Sequence, residues 1–189
     1  MASRIPNTFL RAGDPIITSF DWTDIATGTG IVTFYGKRLH DGSDFVYLLS
    51  GTDLIKSLGE VSGAPLDLDF DSTLNKSSEV KGIAYVSGTF VISANGEQFS
   101  LSAQIFHFDG TTETAISSEI TFPTQTASGD GDRKIFSLKM PITTDTVFTS
   151  GEILRVTMKL TRIAGGNNAT LEHSSSQPLI MQIPFFVDQ

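Results

Sequence analysis

The 189-residue chain reads as all-β: a single antiparallel β-sandwich of jelly-roll or Greek-key type, with little helix. Three observations predict this. Short runs rich in β-branched and aromatic residues recur between turn signals along the whole chain. Several of them alternate strictly between apolar and polar residues, the period of a half-buried strand. Strands do not alternate with long helical patterns, so a parallel α/β sheet is not expected.

Taken in order, residues 1 to 15 carry Pro6, Gly13 and Pro15 and show no period, and they read as an extended N-terminal arm. Ile5, Phe9 and Leu10 pack either on a neighbouring surface or on the domain itself. The sandwich domain then covers residues 16 to 189. Residues 16 to 22 (Ile-Ile-Thr-Ser-Phe-Asp-Trp) read as a first strand, residues 31 to 36 as a second, and residues 45 to 49 as a third. Thr27-Gly28-Thr29-Gly30 and Asp41-Gly42 separate them as turns. Residues 52 to 59 are the only helix-like stretch, with Thr52 as cap and Gly59 as stop. At two turns it is too short to stand without packing.

Leu66-Asp67-Leu68-Asp69-Phe70-Asp71 sends its apolar residues to one face and its carboxylates to the other. Residues 82 to 108 form the organising stretch. Asn95-Gly96, a favoured pair for a two-residue turn with φ > 0, lies between two apolar runs, and the pattern predicts a long antiparallel hairpin. At Phe106-His107-Phe108 the apolar face changes over, which suggests a bulge or burial on both sides. Residues 114 to 122 read as a strand ended by Pro123, and residues 134 to 140 as one ended by Pro141. Residues 153 to 163 alternate cleanly. Gly165-Gly166-Asn167-Asn168 is a turn. Residues 169 to 173 and 179 to 187 close the chain, and Pro184 marks the last strand as an edge or as one that begins afresh.

Composition narrows the function classes. The formal net charge is −8 with a pI near 4.7, and only Arg4 and Arg11 are basic among the first thirty residues. Phosphate-backbone binding needs clustered Lys and Arg, so no nucleic-acid partner is expected. There are no cysteines, which removes disulfides and thiolate chemistry. No apolar h-region and no membrane-spanning run occur, so synthesis in a cytoplasm and no membrane partner are expected.

Candidate chemistry is sparse. His40, His107 and His173 do not pair at metal-ligand spacing, and no serine sits in a Gly-x-Ser-x-Gly elbow. Asp67, Asp69 and Asp71 share a strand face, but a straight strand spreads carboxylates that calcium would gather from a curved loop, so a solvated face is the better reading. Asp130-Gly131-Asp132 lacks the rest of a calcium loop and reads as a turn. Asn75-Lys76-Ser77 and Asn168-Ala169-Thr170 match the glycosylation sequon and are discounted without a secretory route. Trp22, Tyr35, Tyr47 and Tyr85 are candidates for a sugar platform, with core or cross-strand packing as the alternative. No catalytic, cofactor or metal site residue is assigned, and the chain is expected not to be an enzyme.

The closing segment carries a resemblance. Gly151-Glu152-Ile153-Leu154-Arg155-Val156-Thr157-Met158-Lys159-Leu160, the Gly-Gly-Asn-Asn turn, Ala169-Thr170-Leu171-Glu172-His173 and the terminal Leu179-Ile180-Met181-Gln182-Ile183-Pro184-Phe185-Phe186-Val187-Asp188 resemble the C-terminal pattern of small β-rich virion structural proteins of tailed phages and related viruses. Those end close to Val-Pro-Phe-Lys-Ile-Asp after a Leu-Arg-Leu-Thr-Val strand and a His-Asp-Pro turn. Here Phe186 stands for the lysine and Ser174-Ser175 for Asp-Pro. The resemblance implies a virion protein that decorates or cements a capsid as a repeated homo-oligomeric subunit, with a trimer as the suggested arrangement and a major capsid protein as partner. A tail or neck position and a carbohydrate-binding or adhesive module are the alternatives.

Overall fold

The computed structural model describes residues 30–41, 44–51, 59–63, 65–174 and 176–186. The arm at residues 1 to 15, the first strand at 16 to 22 and the helix-like residues 52 to 58 lie outside the described residues. Fourteen strands are described: β1 (Gly30–Asp41), β2 (Asp44–Ser50), β3 (Gly59–Gly63), β4 (Leu66–Thr73), β5 (Ser78–Val80), β6 (Ile83–Ile92), β7 (Gln98–Phe108), β8 (Glu113–Ala115), β9 (Ile120–Thr126), β10 (Asp132–Pro141), β11 (Thr146–Phe148), β12 (Ile153–Ala164), β13 (Ala169–His173) and β14 (Ile180–Phe186). No helix occurs among the described residues.

The strands form two packed layers, an antiparallel β-sandwich as the sequence predicts. In the first layer β6 is central. It pairs with β10 along its full length on one flank, and with β13 and then β14 on the other. β14 continues to β1, and β1 to β2; β13 continues to β3. The second layer runs β4–β12–β7, with β8 and β9 both on the outer side of β7. A single parallel contact, Leu48 opposite Asp71, joins β2 to β4 where the layers meet.

Period-2 alternation puts one side of each strand in the core. From β6 come Ala84, Val86, Phe90 and Ile92; from β7 Phe99, Leu101, Ala103 and Ile105; from β12 Leu154, Val156, Met158 and Leu160, all essentially inaccessible. Phe122 on β9 meets Phe136 on β10 across the layers, ring centroids 6.3 Å apart. Leu179 is fully buried between two glycines. A Cβ at Gly36 would come within 2.7 Å of its Cδ2, and one at Gly88 within 3.1 Å of its Cδ1.

The structure corrects the predicted hairpin. β6 and β7 do not pair with each other; they lie in opposite layers. The turn itself is present, with Glu97 N–H donating to Ala94 C=O at 3.4 Å and Gly96 at φ 77°. Its backbone is engaged elsewhere, because Gly96 N–H donates to Ala127 C=O, Ala127 N–H to Glu97 C=O, and Ser93 N–H to Asn168 C=O. Two other loops thus take the groups a hairpin would use, and the connection becomes an arch over the core.

Both prolines also depart from expectation. Pro123 does not end a strand; it lies inside β9, where the register against β7 shifts between Phe99 and Leu101. The bulge accommodates a residue without an N–H. β14 is interior, not an edge. Pro184 falls where its partner on one flank changes from β6, last paired at Gln182, to β5, first paired at Phe185. No bulge occurs at Phe106-His107-Phe108; all three are half-buried, with β8 alongside. Three short strands, β3, β5 and β11, were not legible from pattern.

Candidate functional site

The outward sides of the two layers differ in chemistry. On the second layer Asp67, Asp69 and Asp71 of β4 stand opposite Lys159, Thr157 and Arg155 of β12. Arg155 organises this face. Its Nε and Nη2 donate to the two oxygens of Asp71 at 2.7 and 2.8 Å, while Nη1 lies 3.3 Å from both Asp69 and Glu113. The guanidinium also sits 5.3 Å above the Phe108 ring. The fork to Asp71 is the main reason its pKa is raised further. Thr157 Oγ1 donates to Asp69 at 2.6 Å. The three aspartates therefore form a cross-strand ladder with basic and hydroxyl partners, a relationship that β4 alone does not reveal.

The outward side of the first layer mixes uncharged polar residues and a few charges with exposed hydrophobic side chains. Facing residues share one side of a sheet, so two lateral rows follow from the register: Thr33, Gln182, Tyr85, Lys139, and beside it Tyr35, Ile180, Ser87, Ser137. Ile31 and Ile83 lie one repeat to one side, and Ile135 one repeat to the other. Of the six large hydrophobic side chains most exposed among the described residues, Ile31 (63%), Ile83 (41%), Tyr85 (39%) and Ile135 (78%) are on this side. The carboxylate at its margin, Glu172, is held by Arg133 through two hydrogen bonds of 2.9 and 3.0 Å.

The candidate tyrosines separate. Tyr47 packs edge-on against Phe70 in the core, ring centroids 5.5 Å apart. Tyr35 and Tyr85 remain on the outward face of the first layer with Gln182 between their strands. Trp22 lies outside the described residues.

The histidines have distinct places. His173 is fully buried, and burial pushes its imidazole down to about 4. His107 packs on Phe148, centroids 4.5 Å apart, and its Nε2 lies 2.8 Å from Glu152 Oε2. Thr149 N–H donates to the same carboxylate at 2.7 Å and is the first cause of its lowered pKa. This is an oriented imidazole–carboxylate pair at a partly open position. The side chain of His40 lies outside the described residues.

The acidic loop at residues 128–132 is a structural tie. Asp130 accepts a hydrogen bond from Asn95 N–H at 2.9 Å, and Asp132 accepts from Ser128 N–H at 2.6 Å and Oγ at 2.8 Å. The Ser128 N–H is the largest reason Asp132 titrates at about 2, with Lys134 assisting. Glu97, which sequence reading passed over, is buried and accepts from Gly166 N–H, Asn167 N–H and Asn167 Nδ2, each at 2.8–2.9 Å. These bonds, led by Gly166, lower its pKa. The glutamate facing a Gly-Gly-Asn-Asn turn was the available signal, but nothing local links residue 97 to residue 166.

No protein-family model and no curated protein sequence matches the chain. Solved structures match in shape. A CocE/NonD family hydrolase from Staphylococcus aureus superposes with a TM-score of 0.60 at 10% identity, over 84% of this chain and 37% of that one. An aminopeptidase from a marine sediment archaeon, Thaumarchaeota archaeon, does so at 0.55 and 11% identity, over 82% of this chain and 37% of that one. A chain of infectious bursal disease virus aligns over 83% of this chain and 36% of its own, at 10% identity and a TM-score of 0.26, too low to bear on the fold. This chain thus spans little more than a third of the hydrolase and the aminopeptidase. At such identities the likeness is one of fold. It nevertheless corrects the expectation that the chain is not an enzyme: the structures that share its shape are parts of a hydrolase and of an aminopeptidase, so the lack of a catalytic motif in the strands does not separate the two classes.

Proposed function

We propose that this chain is a structural subunit of a virus particle, present in repeated copies that decorate or cement the capsid. The observation that supports the reading is the outward face of the first layer, which carries four of the six most exposed large hydrophobic side chains among the described residues, Ile31, Ile83, Tyr85 and Ile135, with polar residues between them. The C-terminal resemblance points the same way. Its described residues supply β12 in one layer and β13 and β14 in the other, and each of these strands turns one side into the core. A tail or neck position would use the same face.

The test is location. Virus particles purified on a density gradient should carry the chain at a copy number comparable to the capsid subunit, as read by quantitative mass spectrometry. Recovery only in the soluble fraction would end the proposal.

A second reading has a specific observation behind it. Tyr35 and Tyr85 lie on one sheet face, on strands that flank β14, with Cα atoms roughly 12 Å apart by strand geometry. Two aromatic surfaces beside an amide is a chemistry that sugars use. Glycan-array binding that is lost on Tyr85→Ala would favour an adhesive module.

A further inference from the structure

We infer that Asn95-Gly96 is a self-modification site, a deamidation site that the arch between β6 and β7 holds unreactive. Each opening of the arch frees the pair to react, and the product no longer closes the arch. The reaction is within the chain and needs only water, so it requires no partner and stands apart from the virion reading.

Three observations carry it. The first is the chemistry of the pair. The Gly96 amide nitrogen attacks Asn95 Cγ. The N–Cγ bond forms and the Cγ–Nδ2 bond breaks. The amide proton passes to solvent, and the leaving nitrogen takes up a proton and departs as ammonia. Water then opens the cyclic imide. Cleavage at Cγ gives aspartate; cleavage at the main-chain carbonyl leaves the chain running through the side chain as an isoaspartyl link. A side chain on the following residue hinders the attack, and Asn-Gly occurs once in the sequence. The other asparagines precede Thr8, Lys76, Asn168 and Ala169. At Asp41-Gly42, Asp109-Gly110 and Asp130-Gly131 the glycine follows a carboxylate, which resists attack while it is ionised.

The second is that the fold supplies access and restraint together. Asn95 and Gly96 are both exposed, and a Cβ at Gly96 would meet nothing within 4 Å, so water reaches the pair. The attacking nitrogen is nevertheless occupied. Gly96 N–H donates to Ala127 C=O at 3.0 Å, and Ala127 N–H donates in return to Glu97 C=O at 2.9 Å. Asn95 N–H donates to Asp130 Oδ1 at 2.9 Å. Ser93 N–H donates to Asn168 C=O, and Gly131 N–H to Ser93 C=O, each at 3.3 Å. Residues 93 to 97 are thus held from two loops that are distant in sequence. An amide held in this way neither gives up its proton readily nor swings onto Asn95 Cγ, so attack waits for local opening.

The third is what the product meets. An isoaspartyl link adds one carbon to the main chain between residue 95 and Gly96. Asn95 N–H, Gly96 N–H and Glu97 C=O bond to Asp130 and Ala127 across that point, so the three bonds no longer fall in register. Either product also places a new carboxylate at position 95. Asp130 already accepts from the backbone there, and Glu97 lies two residues away, in a chain of net charge −8. Like charges in that neighbourhood oppose reclosure. The modification is therefore one-way: opening permits it, and it keeps the arch open.

Peptide mapping of the full chain by mass spectrometry tests this, in native buffer and in denaturing urea at the same mildly alkaline pH. In urea Asn95 should convert ahead of Asn7, Asn75, Asn167 and Asn168. In native buffer its conversion should be about tenfold slower or more, because only the opened fraction reacts. Asp130→Ala removes an acceptor without touching the pair. It should raise the native rate roughly threefold to tenfold, the equilibrium equivalent of one hydrogen bond, and leave the rate in urea unchanged. Asp130→Asn, which keeps an acceptor oxygen, should fall between. Circular dichroism should show both variants folded, which separates local opening from global unfolding. Chain converted in urea and then refolded should exchange its amides at Gly96 and Ala127 faster than the parent. Asn95→Gln, whose longer side chain cyclises far more slowly, should pass through the same treatment with parental exchange. Native conversion as fast as in urea, another asparagine converting first in urea, a native rate indifferent to Asp130→Ala, or a converted chain with parental exchange would each overturn the inference.

Discussion

Arg155 on β12 and Asp71 on β4 face each other in register and are joined by two parallel hydrogen bonds, Nε to Oδ1 at 2.7 Å and Nη2 to Oδ2 at 2.8 Å. The pair is largely shielded, with about a fifth and a quarter of the two side chains accessible. Asp69 and Glu113 approach the same guanidinium. Arg155→Ala would leave three carboxylates together without their shared cation. A loss of about 1–2 kcal/mol is expected, the range between an exposed pair and a charged hydrogen bond. Arg155→Lys keeps the charge but not the fork and should lose about half as much. Urea titration measures both, and an unchanged midpoint for Arg155→Ala would remove the ladder from the account of stability.

His173 makes stability depend on pH. In the unfolded chain a histidine titrates near 6.5, and burial holds it at about 4 in the fold. The unfolded state therefore takes up the proton first. The stabilisation is complete above pH 6.5 and is lost as pH falls toward 4, to a limit of roughly 3 kcal/mol for such a shift. The melting temperature should fall between pH 7 and pH 5, above the range in which Glu97, Glu152, Asp109 and Asp132, all held below their usual values, begin to protonate. His173→Gln should flatten the profile in that window. A slope that persists in the variant would assign it to another group.

Glu97 anchors the β12–β13 turn through Gly166 and Asn167. Glu97→Ala should lower the melting temperature and speed amide exchange at residues 166 and 167 ahead of the rest of the chain. Glu97→Gln, which keeps one acceptor oxygen, should fall between. Gly165→Ala should act in the same place, because a Cβ there would stand 2.5 Å from Glu97 Cδ and the φ is +104°. Exchange at 166 and 167 unchanged from the parent would show that the turn holds without the carboxylate.

Gly96 separates strain from crowding. Its φ is 77°, yet a Cβ added there would meet nothing within 4 Å. Gly96→Ala and Gly96→Val should each cost about 1–2 kcal/mol from backbone conformation alone. The two variants should be similar in denaturant, with valine somewhat worse for its branching. A much larger loss for alanine would mean that the arch is tighter than its open surroundings imply.

Much of this protein is legible one strand at a time. Leu66, Leu68 and Phe70 turn inward and Asp67 and Asp69 outward because successive side chains leave a strand on opposite sides, a property of the backbone that needs no partner. The same holds for Leu154, Val156, Met158 and Leu160 on β12. Partners are another matter. Asn95-Gly96 suits a hairpin and an arch equally, and the choice fell to the loops at 127 and 168, which bind the turn's backbone from elsewhere in the chain. Pro184 reads as an edge signal, yet β14 is interior because a change of neighbour from β6 to β5 leaves a place for a missing N–H. Sequence could set Asp71 on a polar face, but only the pairing of β4 with β12 brought Arg155 to it across 84 residues. Alternation is a local rule fixed by covalent geometry. Pairing is a competition among distant strands, settled by which arrangement buries the most apolar surface with its backbone bonds made, and that competition is visible only in the folded chain.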